Sequence, residues 1–190
     1  MTILTILVII LGALLLWGIV AFNGFIASRN HVREAWADID VQLKRRYDLI
    51  PNIIKTVKGY ASHEKDTLMQ VVEARSRAMN AESTGNVAAT AQAENMLQST
   101  LKTLFALSEN YPDLKANANF LELQRELSDT ENKIQAARRY YNANVRDYNT
   151  KRETVPTNII ASMFGFKEEA FYDLEESPQE REVVQVDFSQ

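Results

Sequence analysis

Hydrophobic residues fall into one unbroken block at the start of the chain and then into periodic stripes. From Ile3 to Phe22 the sequence reads ILTILVIILGALLLWGIVAF, twenty residues without a charge. About twenty apolar residues at roughly 1.5 Å each span the hydrocarbon core of a bilayer. A cleaved signal peptide has basic residues ahead of a shorter apolar run, whereas only Met1 and Thr2 precede this one. Residues 1–27 therefore read as a transmembrane signal-anchor helix. Arg29 and Arg33 follow it closely, with Lys44, Arg45 and Arg46 further on. By the positive-inside rule that places the following domain in the cytoplasm.

After the anchor the period changes. Val32, Trp36, Ile39, Leu43, Ile50, Ile53, Val57 and Tyr60 fall on a 4–3 spacing, and Arg46 fills the one seam position that is not apolar. Such a stripe faces another helix and implies left-handed, coiled-coil-like packing. Pro51 lies inside the pattern, and because the stripe continues in phase across it a kink is expected there rather than an end. The weak point is Gly59–Ser62, with Ser62 a candidate N-cap. Leu68, Val71, Val72 and Met79 give the next face. The pattern allows one bent helix over 28–81 or two helices, and the weak point favours two.

Ala81–Asn86 is a turn around Gly85. Ala93, Leu97, Leu101, Leu104, Leu107 and Tyr111 mark a third helix, ended by the Glu109–Asp113 segment that holds Pro112. A fourth helix is expected over 113–153, with Phe120, Leu123, Leu127, Thr130, Ile134, Ala137, Tyr141, Val145 and Tyr148 on its face; Pro156 stops it. The fold class is thus all-α: the transmembrane helix, then an antiparallel up-down four-helix bundle over 28–156 built from long coiled-coil-like helices. In that topology the fourth helix returns to the membrane. Residues 157–166 form a membrane-proximal amphipathic segment, in which Ile159, Ile160, Met163, Phe164 and Phe166 either rest in the interface or cap the open end of the bundle. Residues 167–190 hold eight acids against two bases and read as an acidic, disordered tail. Within it Val183–Phe188 could add a short strand to a partner.

Composition narrows the chemistry. There is no cysteine, which removes disulfides and thiolate metal sites, and only His31 and His63 are available as imidazoles. A net charge of −4 argues against a nucleic-acid partner. His63-Glu64 opens like a zinc-protease motif, but Thr67 stands where the second histidine is required. No Glu-x-x-His occurs for a di-iron centre. Gly12, Gly18 and Gly24 are six apart, not the four of a close-packed helix dimer. No cofactor, metal site or catalytic residue is expected, and the protein reads as a non-enzyme.

The remaining candidates are structural or interaction residues. Arg46 in an apolar seam needs a partner, with Glu122, Glu126 and Glu131 of the fourth helix as candidates, and a register-fixing ion pair is the plainest role. Trp36 and Pro51 mark the first helix. Arg138, Arg139, Tyr140, Tyr141, Arg146 and Tyr148 combine guanidinium and aromatic groups, either as a solvated face beside a core stripe or as an interaction surface. Phe164 and Phe166 complete the set.

These residues fall in blocks that resemble the LemA family of bacterial membrane proteins. The blocks are Glu34–Asn52 (EAWADIDVQLKRRYDLIPN), Thr56–Tyr60 with His63-Glu64, Glu109–Asn117, Tyr140–Asn149, Pro156–Ala161 and Phe164–Phe166. The resemblance covers roughly residues 1–172 and departs at Val155, where the family usually carries an aromatic; at most a helix-end contact is weakened. It implies a single-span protein of the bacterial inner membrane with a cytoplasmic-type antiparallel helical bundle and no established enzymatic activity. Some relatives are encoded near membrane metalloproteases of the quality-control type, which makes such a protease a candidate partner. The expected function is an oligomeric scaffold made of copies of this chain on the bilayer. The alternative is an adaptor or regulator of one membrane partner, bound through the tail or the fourth helix.

Overall fold

Two prolines, a glycine turn and three asparagine or glutamate caps divide the chain into helices in the computed structural model, which describes residues 2–172. The elements are α1 (Thr2–Tyr60), α2 (Lys65–Ser83), α3 (Val87–Ser108), α4 (Pro112–Lys115), α5 (Ala118–Glu153) and α6 (Thr157–Met163), with no strand among the described residues. The all-α class holds. The anchor and the first amphipathic stretch are one continuous helix, since nothing near residue 27 breaks the backbone ladder. The chain divides into two compact units: residues up to Arg45 together with Asp129–Phe171, and Arg46–Ser128. Helices α1 and α5 contribute to both.

The first break falls at the expected weak point, giving two helices between 28 and 81, but the cap differs. Ser62 is exposed, and Glu64 holds the N-cap position of α2 without a capping bond from its side chain. Gly85 takes φ +67, and Asn86 caps α3 by accepting a bond from the Ala89 amide at 3.1 Å. The helix expected over 113–153 is two pieces. Asn117 accepts from the Phe120 amide at 3.0 Å and starts α5 there, leaving Pro112–Lys115 as a single turn. A short polar side chain that bonds the backbone competes with helix continuation, which is why the run is interrupted.

Burial follows the stripes closely. Val32, Ile39, Leu43, Arg46, Ile50, Ile53 and Val57 are buried on α1, as are Phe120, Leu127, Thr130, Ile134, Tyr141, Val145 and Tyr148 on α5. Two faces differ from expectation. On α2 the buried set is Leu68, Val71, Ala74 and Ala78, while Val72 and Met79 are exposed. One residue of offset turns a side chain by about 100°, and the small alanines rather than the larger residues face inward. Tyr60 is also exposed; its hydroxyl accepts from Asn117 Nδ2 at 2.8 Å.

Candidate functional site

In the Arg46–Ser128 unit a polar pin ties three helices together. Arg46 Nη2 donates to Glu94 Oε2 at 2.7 Å, and both side chains are 3% exposed. The neighbouring Tyr47 hydroxyl donates to the other carboxylate oxygen at 2.5 Å. Burial, with Glu94 beside it, pushes the Tyr47 phenol far above its usual range. The carboxylate thus comes from α3, a helix that the reading of Arg46 against the fourth-helix glutamates did not consider. A signal for it exists: Thr90, Glu94, Leu97, Leu101, Leu104 and Ser108 keep a 4–3–4–3–4 spacing and are all buried. Reading that stripe from its apolar members alone hid the glutamate.

Pro51 belongs to the same pin. It stays inside α1 without ending it. Lacking an N–H, it leaves the carbonyl four residues earlier, that of Tyr47, without its helical donor. Arg75 Nε of α2 donates to that carbonyl at 2.8 Å. The backbone of Tyr47 is therefore held by α2 and its side chain by α3. Farther along, the Tyr111 hydroxyl donates to Glu64 at 2.9 Å.

The other unit is held by rings. Trp36, half-buried, meets buried Tyr141 edge-on at 5.5 Å. Phe25 meets Tyr148 edge-on at 6.2 Å and stacks on Phe166 at 4.7 Å. Contacts that climb α1 from Phe25 to Trp36 descend α5 from Tyr148 to Tyr141. The Arg29 guanidinium lies 5.6 Å from the Phe166 ring and the Lys151 ammonium 5.1 Å from that of Phe25. Desolvation lowers the Lys151 pKa. Gly24 leaves the space that the lysine head occupies.

Residues 167–170, assigned above to the acidic tail, are fastened along α5. The Tyr148 hydroxyl donates to the Lys167 carbonyl at 2.8 Å and that of Tyr141 to the Ala170 carbonyl at 2.9 Å. Asn149 and Glu169 exchange two bonds, Nδ2 to the carbonyl at 2.9 Å and amide to Oδ1 at 3.1 Å. Burial and then Glu169 push the Tyr141 phenol up to about 12. Residues 141, 148, 149 and 152 share one helix face, with Arg152 reaching Glu168 at 3.1 Å. The aromatic and basic cluster is thus split: Tyr141 and Tyr148 are buried anchors, Arg138 is half-buried on α5, and Arg139, Tyr140 and Arg146 are exposed. The remaining acidic residues and Val183–Phe188 lie outside the described residues. Val155 is 73% exposed, so no packed contact rests on it.

One apolar groove lies between the end of α1 and α2 in the Arg46–Ser128 unit. Ile54, Leu68, Met69 and Val72 form its floor and wall, with Lys65 and Glu73 at its edge. Among the described residues no group of three or more His, Cys, Asp or Glu side chains is placed to hold a metal. Helix α1 is the only described helix long and apolar enough to cross a membrane, and none of that apolar window is buried.

These features define an all-helical, membrane-associated protein in which buried Arg46 and Glu94 join two helices. The chain belongs to the LemA family: the LemA family profile matches residues 35–188. It is similar to protein LemA of Metamycoplasma hominis, at 29% identity over 81% of this chain and 69% of that protein. Magnetosome protein MamQ of Magnetospirillum gryphiswaldense is 20% identical over 80% of this chain, and the chain spans 64% of its length. The same figures hold for magnetosome protein MamQ 2 of Paramagnetospirillum magneticum.

Proposed function

We propose that this protein is a non-catalytic scaffold of the bacterial inner membrane, anchored by the first part of α1 and assembled from copies of itself. In this reading α1, α2, α3 and α5 close an antiparallel up-down bundle on the cytoplasmic side. The observation that carries it is the uncovered groove on α2. Met69 and Val72 are exposed beside Ile54, and exposed apolar surface of this kind marks an interaction site. Met69, Val72, Ser76 and Met79 repeat at 3–4–3 spacing, the seam of a helix pair. Lys65 and Glu73 edge the same groove. A two-fold axis at the level of residue 74 sets Met69 against the other copy's Met79 and Val72 against its Ser76, a self-complementary seam that favours a second copy as the occupant. Neither LemA nor MamQ is an enzyme name, which supports an organising role.

The test is the mass of the full chain in nanodiscs, beside the Met69→Glu/Val72→Glu variant. A defined multimer that the variant reduces to a smaller species supports the scaffold. A monomeric wild-type protein would overturn it and favour the adaptor of one membrane partner, such as a quality-control metalloprotease.

A further inference from the structure

Helix α6 has two faces. Ile160, Ala161 and Phe166 are buried, which covers the end of the α1/α5 pair. Ile159 and Met163 are 56% and 69% exposed, and Phe164, whose ring edges Phe22, is still 55% exposed. Two large apolar side chains on a seven-residue helix, with a third at its C-cap, are costly to leave in water. Gly165, at φ +68, turns the chain so that the Phe166 amide bonds back to the Ala161 carbonyl at 2.9 Å, sending Phe166 inward while Phe164 stays outside.

The position of α6 along α1 says what covers that outer face. Phe164 meets Phe22 at 4.7 Å between ring centroids. A Cβ added to Gly18 would lie 3.9 Å from Ile160 Cδ1. Gly18 and Phe22 are in the last apolar turn of the anchor, separated by roughly 6 Å of helix rise. The first cations beyond, Arg29 on α1 and Lys151 on α5, sit against Phe166 and Phe25. Arg29 follows Phe22 by about 10 Å of rise, the level of lipid phosphates when Phe22 ends the hydrocarbon. An apolar face at that height meets the boundary of headgroups and acyl chains, where amphipathic helices sink roughly 5–10 Å.

We propose that α6 is an interfacial foot: Ile159, Met163 and Phe164 insert into the cytoplasmic leaflet beside the anchor, so that the chain grips the bilayer at two points. This sets the tilt of α1 and holds α5 at the membrane surface. The proposal rests on reading α1 as a membrane span, and the experiment separates the two. Because the chain has no cysteine, single spin labels can be placed on the full-length protein at Ile159→Cys, Met163→Cys, Ile10→Cys and Glu122→Cys. The probe is collision with oxygen against a water-soluble nickel chelate, in nanodiscs of phosphatidylethanolamine and phosphatidylglycerol. The expected oxygen-to-nickel ratio at 159 and 163 is several-fold above that at 122 and below that at 10. Ratios at 159 and 163 equal to that at 122, with 10 still in hydrocarbon, overturn the foot while leaving the anchor. Labels at 159 and 163 shielded from both reagents mean that protein covers α6, which also overturns it. A water-like ratio at 10 overturns the anchor itself.

Discussion

The two compact units of this protein solve the same problem, holding helices together, by different chemistry. The Arg46–Ser128 unit depends on directional polar contacts: Arg46 and Tyr47 converge on Glu94, and Arg75 takes the carbonyl released by Pro51. The unit holding the anchor depends on rings, with Phe22, Phe25, Trp36, Tyr141, Tyr148, Phe164 and Phe166 in contact. Ring contacts are broad and tolerate small shifts, whereas a buried ion pair has one good geometry and a large penalty for losing a partner. The polar unit should therefore fix helix register. The aromatic unit should tolerate adjustment near a bilayer, where its faces meet both protein and lipid.

The sharpest way to break that contrast is Glu94→Ala. It removes the carboxylate that a buried guanidinium donates to, and a loss of about 3–5 kcal/mol is expected, measured by urea titration of helicity in mild detergent. The Arg152–Glu168 pair, whose carboxylate is exposed, is the control, and Glu168→Ala should cost at most about 1 kcal/mol. Equal losses would erase the distinction between the units.

Arg75→Ala leaves the Tyr47 carbonyl without a donor, and about 1–3 kcal/mol should be lost. Pro51→Ala restores an N–H at the position that bonds this carbonyl, so Arg75→Ala should cost less in its presence. A double-mutant cycle measures the coupling, and strict additivity would show that Arg75 does not stand in for the missing bond.

Alkaline unfolding tests the aromatic unit. The Tyr141 phenol is raised to about 12 by burial and Glu169, above its unfolded value of about 10. Its protonated form therefore contributes stability that is complete below pH ~10 and lost as pH rises through ~12. Tyr47, also raised by burial, adds to the same loss. Tyr141→Phe should flatten the fall in stability between those values without abolishing it, as read from helicity against pH.

The smallest effect concerns the fastened segment. Asn149→Ala removes two bonds to Glu169 and should cost about 1 kcal/mol. Amide exchange at Glu169 should rise while exchange in α3 is unchanged. Protection that survives the substitution would mean that the two tyrosines alone hold residues 167–170.

Periodicity determined most of the fold by itself. A charge-free run of bilayer length and stripes at 3 and 4 spacing fix which residues are helical and which face is inward, because helix geometry is local. Val32–Val57 and Phe120–Tyr148 were legible for that reason, as was the continuation of α1 through Pro51. Sequence also showed that Arg46 needs a counter-charge. Only tertiary structure decided which one, since Glu94 is 48 residues away and nothing local links the two. The same holds for Arg75 meeting the carbonyl that Pro51 frees, and for the capture of 167–170 by Tyr141, Tyr148 and Asn149. In that segment the charge balance described how the residues behave alone, whereas their backbone bonds depend on which helix face lies beside them.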